Sequence, residues 1–202
     1  MAKVLIIFAH PVLEKSRVQA RLIRHLHALS GISFHDLYQS YPDFDINVER
    51  EKSLLLSHDV IIWQHPFYWY SAPAILKQWM DLVLEHGWAY GRQGQMLKGK
   101  RAMNVISTGG TEAAYQTDGR NRFPIRTLLS PFDQTAHLCH MSYCPPFVVH
   151  GTHRLSEGDM DLYATQYEQM LLALVHDRLS ENELRDVRYM NELFPLPATI
   201  QS

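Results

Sequence analysis

A chain of 202 residues, 46% hydrophobic and 20% charged, is long enough for one domain with a sizeable core and has an ordinary globular composition. Its formal net charge of −2 excludes the basic field of a nucleic-acid or anionic-membrane binder. It also excludes the strong acidity of a small electron carrier that docks on basic partners. Two cysteines, Cys139 and Cys144, make no disulfide framework, and a reducing cytoplasm is the expected compartment.

The first apolar run, Val4 to Phe8, reads as a strand. It follows Lys3 much as a signal peptide would, but it is brief and continues into His10-Pro11 without a small-residue cleavage site. Ser16 to Leu29 is expected to form a helix with Val18, Leu22, Leu26 and Leu29 on one face, and Ile32 to Asp36 a second strand. Val48 to Ser57 follows as a helix turning Leu54, Leu55 and Leu56 toward the core. Asp59 to Gln64 is the third strand, and Ala72 to Glu85 the third helix, with Pro73 tolerated in its first turn. Arg101 to Ser107 reads as a fourth strand. Phe123 to His140 contains a helix, and Pro146 to His150 is a fifth strand. Asp159 to Val175 is a long amphipathic helix, offering Leu162, Tyr167, Met170, Leu171 and Leu174 for burial. No segment approaches the roughly 20 apolar residues of a membrane span.

Strand and helix in strict alternation predict an α/β fold with a five-stranded parallel sheet, flavodoxin-like order 2-1-3-4-5, and helices on both faces. This domain is expected over residues 1–178. Residues 179–202 form a C-terminal helical extension or tail. There, Ser180 and Glu183 make a capping box for a helix through Leu184, Val187, Met190 and Leu193, ended by Pro195-Leu196-Pro197. The segment either clasps a partner subunit or is mobile.

Three loops leave the carboxyl ends of the strands, where open α/β sheets bind ligands. The first holds His10-Pro11 and then Ser16, Arg17, Val18 and Gln19 at a helix start. That arrangement suits a phosphate, although Ser16 also suits a plain N-cap. The second is His65-Pro66-Phe67-Tyr68-Trp69-Tyr70, whose rings either stack on a flat ligand or close the core. The third is Ser107-Thr108-Gly109-Gly110, running on to Tyr115. Its glycines let backbone N–H groups approach a ring carbonyl, or simply make a turn. In this order the three loops describe a pocket for a phosphorylated, planar, redox-active cofactor. No G-x-G-x-x-G follows the first strand, and neither a Walker lysine nor a G-x-S-x-G elbow occurs. His137, Cys139, His140, Cys144, His150 and His153 fit no zinc spacing, so no metal is expected.

The run from Pro66 to Lys77 resembles the flavin-dependent NAD(P)H:quinone oxidoreductase family, and within it the ancillary subunits of glutathione-regulated potassium-efflux systems. Further hallmarks are Tyr38-Gln39-Ser40-Tyr41-Pro42-Asp43-Phe44, Trp63-Gln64-His65-Pro66, His86-Gly87-Trp88-Ala89-Tyr90-Gly91 and Ser107-Thr108-Gly109-Gly110. The likeness spans roughly residues 3 to 175. It implies FMN, with FAD as the alternative, NAD(P)H as electron donor and a quinone as acceptor. It also implies a homodimer with the active site at the subunit interface; His86 to Gly91, with Trp88 and Tyr90, is a candidate interface segment because aromatics are enriched at interfaces, or its rings pack under the third helix. A second implied role is activation of a potassium-efflux membrane protein from its cytoplasmic side. By position, His10 and Ser16 to Gln19 would hold the flavin phosphate, Pro66 and Phe67 to Tyr70 the isoalloxazine, and Ser107 to Gly110 its pyrimidine edge. Tyr115 would be the catalytic hydrogen-bond donor near a flavin carbonyl. Two positions depart from the family. Gln19 stands where asparagine is usual, and Asn121 falls near an active-site histidine of the quinone reductases.

Overall fold

Every residue of Val4–Phe8 (β1) is buried, as a strand between two helical layers requires. In the computed structural model, which describes residues 1–195, β1 pairs in parallel with β2 (Ile32–Asp36) and with β3 (Val60–Pro66). β3 pairs in parallel with β4 (Arg101–Ser107). Beyond β4 the fifth position is shared by two short strands, β5 (Ser142–Tyr143) beside Arg101 and Ala102, and β6 (Phe147–Val149) beside Val105 to Ser107. The order is therefore 2-1-3-4, followed by a strand in two pieces. The break has a covalent cause. Cys144 still donates its N–H to the Ala102 carbonyl (2.8 Å), but Pro145 and Pro146 have no N–H to give. The expected strand Pro146 to His150 thus narrows to β6, and the polar pair Ser142–Tyr143 adds a piece that apolar patterning does not reveal.

The helices are α1 (Arg17–Ile23), α2 (Leu37–Ser40), α3 (Val48–Leu56), α4 (Ala74–Val83), α5 (Ile125–Leu128), α6 (Ser130–Leu138), α7 (Glu157–Val175) and α8 (Glu181–Asp186). Alternation along the strands sorts them onto two faces. Val4, Ile6, Phe8, Ile62 and Met103 pack with Val18 and Leu22 of α1 and with Met160, Tyr167, Met170 and Leu174 of α7. Leu5, Ile7, Ile61, Trp63 and Ile106 pack with Leu55 of α3, Ile75, Leu76 and Trp79 of α4, and Phe132 and Ala136 of α6. No helix among the described residues is long and apolar enough to cross a membrane.

Three local expectations need correction, and a fourth gains detail. The first helix ends at Ile23, and a 3-10 turn at Leu26–Ala28 keeps Leu26 buried before Gly31, at φ +83, turns the chain into β2. Leu56 is 50% exposed, because the inward positions of α3 are Glu51 and Leu55, four residues apart. Pro73 is the N-cap of α4 rather than a member of its first turn. The segment from Phe123 to His140 breaks into α5 and α6 ahead of Pro131, which sits in the first turn of α6 and cannot continue a helix from α5.

At the carboxyl end, Ser180 and Glu183 form the expected capping box, but α8 stops at Asp186. A 3-10 turn at Met190–Leu193 follows and packs on the same chain. Val148 donates its N–H to Asn191 Oδ1 (2.8 Å), Met190 donates to the Pro146 carbonyl (3.0 Å), and the Met190 side chain is fully buried. The outer edge of β6 is thereby covered. Of the expected terminator Pro195-Leu196-Pro197, the last two residues lie outside the described residues.

Candidate functional site

Loops following β1, β3, β4 and β6 surround two adjoining clefts that share Phe67, Gly109 and His153. A cleft of about 370 Å³ is lined by His10, Lys15, Ser16 and Arg17, together with Val18, Pro66, Tyr68, Ser107 and Thr152. No aspartate or glutamate is among its lining residues. His10 is buried, and its Nδ1 accepts the Val12 N–H (3.2 Å), which leaves the proton on Nε2. Burial holds its pKa below the usual imidazole value, against a small opposing pull from Glu14, so His10 is a neutral donor at pH 7. Ser16 is the N-cap of α1 and accepts the Gln19 N–H (3.1 Å). Arg17 lines the cleft, but its Nη2 also bonds Glu157 Oε1 (2.9 Å) and the Leu155 carbonyl (3.3 Å), which anchors it to the start of α7. Lys15 on this wall has no such tether among the described residues, and only its place next to Ser16 hints at it in the sequence.

Gln19 lies behind the cleft. Its side chain is fully buried and donates to Ser107 Oγ (2.9 Å) while accepting from Gln64 (2.9 Å), and Gln64 in turn accepts from the Tyr167 hydroxyl (2.7 Å). This row of four side chains ties α1, β4, β3 and α7 together under the loops. A longer side chain at position 19 is what spans the gap to Ser107.

A second buried row supports the aromatic loop. Tyr143 donates to Asn104 Oδ1 (2.6 Å), Asn104 donates to His65 Nε2 (3.0 Å), and His65 Nδ1–H donates to the Pro66 carbonyl (3.0 Å). Burial pushes the His65 pKa down to about 4, so this imidazole stays neutral and its tautomer is fixed. Phe67 is buried and donates its N–H to the Ser107 carbonyl (2.9 Å). Beyond it the rings turn outward: Tyr68 and Tyr70 are half exposed, and Trp69 is 92% exposed. Trp69 (φ 51) and Tyr70 (φ 62) are both left-handed, a conformation that costs non-glycine residues roughly 1–2 kcal/mol each.

The glycine loop offers fewer free donors than expected. The Thr108 N–H is taken by the Val149 carbonyl (2.9 Å), and its hydroxyl donates to the Gly110 carbonyl (2.8 Å). Gly151 donates to the same carbonyl (2.9 Å). The N–H groups of Gly109 and Gly110 donate to no protein acceptor among the described residues. A Cβ on Gly110 would lie 3.0 Å from Tyr115 Cε2, so the loop is held tight against that ring.

Tyr115 belongs to the second, aromatic cleft of about 410 Å³, together with Trp69, Tyr70, Ala114, Arg120 and Asn121. Its ring meets Phe67 edge-on at 6.2 Å and lies 5.8 Å from His150. Burial raises the phenol pKa, so the hydroxyl remains a donor through neutral pH. Tyr70 donates to Asn121 Oδ1 at 3.4 Å, bringing the asparagine into this wall. With Lys15, the lining residues Arg120, Thr152 and His153 are among those that sequence reading overlooks. Thr152 and His153 follow β6, so the carboxyl-end rule applied to a fourth strand points to them.

A parallel sheet of this order with its ligand loops at the carboxyl ends defines a flavodoxin-like protein. The chain belongs to the flavodoxin-like-fold family, whose model matches residues 2–171. It is 44% identical over 169 residues to the glutathione-regulated potassium-efflux system ancillary protein KefG of Serratia proteamaculans, covering 84% of this chain and 92% of that protein. Among solved structures it resembles general stress protein 14 of Treponema denticola in complex with FMN (TM-score 0.82, 38% identity, 85% of this chain and 99% of that one). It also resembles an NADPH-quinone reductase of P. pentosaceus (TM-score 0.75, 39% identity, 83% and 96% covered). The likeness to the quinone reductases and efflux ancillary proteins legible in the motifs is thus upheld across the fold.

Proposed function

We propose that this chain binds FMN and passes two electrons from NAD(P)H to a quinone, with FAD as the alternative flavin. The reading is carried by the juxtaposition of the two clefts: one with Lys15 and Arg17 and no carboxylate in its lining adjoins an aromatic one, and the two share Phe67, Gly109 and His153. The FMN complex of the Treponema protein and the quinone-reductase name of the P. pentosaceus protein support it. A bound flavin supplies a planar two-electron store between donor and acceptor. In this reading His10, Lys15, Ser16 and Arg17 hold the phosphate. Trp69 and Tyr70 flank the ring, and the Gly109 and Gly110 N–H groups meet its polar edge, where fixed donors stabilise developing negative charge. Tyr115 donates from its protonated hydroxyl. One open face serves donor and acceptor in turn, so double-reciprocal plots with both substrates varied are expected to be parallel. Intersecting lines would contradict the scheme. Tyr115→Phe is expected to lower turnover about ten- to a hundredfold while FMN affinity changes little. Unchanged turnover would remove Tyr115 from the chemistry.

A second copy of the chain completes the site in this reading. Trp69, held almost fully exposed at a strained φ, is the residue it would cover, since large exposed apolar surface marks association. Trp88 and Tyr90 are half-buried against their own core, with Lys52 lying 5.4 Å from the centre of the Trp88 ring, and present only their outer edges to a partner. Light scattering at micromolar concentration is expected to give the mass of two chains; the mass of one would contradict it.

The likeness to KefG supports a second role, activation of a potassium-efflux membrane protein by docking on its cytoplasmic side. Membrane association in this reading comes through that protein.

A further inference from the structure

We propose that Arg120 makes the aromatic cleft selective for acceptors that carry an anionic substituent, a carboxylate or sulfonate, beside the ring. The inference rests on the quinone-reductase reading above and narrows its substrate class. Arg120 lines the same cleft as Trp69, Tyr70 and Tyr115, and none of the lining residues is an aspartate or glutamate. The one arginine that lines the neighbouring cleft, Arg17, is already paired with Glu157. Arg120 has no carboxylate within 4.0 Å among the described residues.

Its backbone is fixed by the fold. Gly119 donates its N–H to the Gln116 carbonyl (3.0 Å), Asn121 to Ala114 (2.9 Å) and Arg122 to Gly119 (2.9 Å). A Cβ on Gly119 would lie 2.3 Å from the Ala113 carbonyl, so only glycine closes this turn. The turn thus keeps Arg120 in the lining of a box whose rings would hold a flat ligand. A planar fork of donors there pairs with a carboxylate or sulfonate two bonds at a time. A neutral quinone gains only the stacking. The nicotinamide donor also carries anionic groups, on its phosphates, and enters the same cleft, so acceptor and donor must be told apart.

The test compares 1,4-naphthoquinone with its 2-sulfonate on the flavin-loaded protein at low ionic strength. The ratio of kcat/KM for the sulfonate to that for the parent quinone is expected to fall about tenfold in Arg120→Gln. It should recover only in part in Arg120→Lys, which restores the charge but not the two-bond fork, and shrink at high salt, where the exposed charge is screened. A ratio that does not move would overturn the inference, as would a loss confined to the KM for NADH or NADPH, which would assign Arg120 to the donor. Calorimetric titration of both quinones, without donor, supplies a readout independent of turnover. A preference for the sulfonate that Arg120→Gln abolishes upholds the inference even if no turnover is found, in which case only the quinone-reductase reading fails. Equal affinities in the parent protein overturn it.

Discussion

Replacing Glu51 by alanine is expected to destabilise the fold by about 3–5 kcal/mol, the range for removing one member of a buried charged network. The carboxylate is 1% exposed on the inner face of α3. It accepts hydrogen bonds from the Tyr41 hydroxyl (2.5 Å) and Trp79 Nε1 (2.8 Å) and pairs with His35 Nε2 (2.8 Å). Alanine would leave three buried polar groups without a partner at once, and each such group costs roughly 1–3 kcal/mol. The same cluster makes stability acid-sensitive. Burial alone would raise the Glu51 pKa, but the hydrogen bonds from His35, Tyr41 and Trp79 outweigh it and hold the value below the usual glutamate figure. A depressed folded pKa means that the contribution is complete above the unfolded value, near ~4.3, and is lost as pH falls through the folded one. Denaturant titrations from pH 7 to pH 3 should therefore show a steeper acid loss for the parent than for Glu51→Gln. Matching acid limbs would contradict this account of the cluster.

Gly109→Trp is expected to weaken FMN binding by about a hundredfold or more, roughly 2.7 kcal/mol. Gly109 lines both clefts, and a Cβ there already comes within 2.8 Å of His153 Nε2. An indole at that point fills the junction through which one planar ligand would span the two. Gly109 is exposed and His153 is an exposed side chain that can swing aside, so the melting temperature should hold within a few degrees. An unchanged FMN affinity would show that the ligand does not cross the junction. The same variant separates the two proposed roles. Efflux activation in membrane vesicles that survives the substitution would make regulation independent of redox turnover. Activation lost together with the flavin would tie docking to cofactor occupancy, as expected when ligand binding stabilises the docking surface.

Much of this was readable without coordinates, and the reasons differ by residue. β1, β3 and β4 are announced by apolar runs because both faces of each strand are buried. Their ends locate the loops that carry His10, Phe67 and Gly109. The polar interior was not readable. Gln19 meets Ser107 across 88 residues of chain, and Gln64 meets Tyr167 across 103, so no local window holds both partners. Glu51 looks like a surface residue of an amphipathic helix until Tyr41, His35 and Trp79 are seen around it. Arg17 reads as a phosphate ligand, yet an ion pair 140 residues away shares it. The interrupted last strand escaped for a different reason: two prolines signal a break, but not that pairing resumes on either side of it.

The central claim, that these clefts hold a flavin serving two-electron chemistry, is tested most directly by titrating the purified protein with FMN and then adding NAD(P)H anaerobically. The account predicts saturation at one FMN per chain, bleaching of the bound flavin's visible absorbance by the donor, and its return in a single step on adding one equivalent of a quinone. A protein that stays colourless after incubation with FMN or FAD, or a bound flavin that NAD(P)H does not bleach, would contradict it.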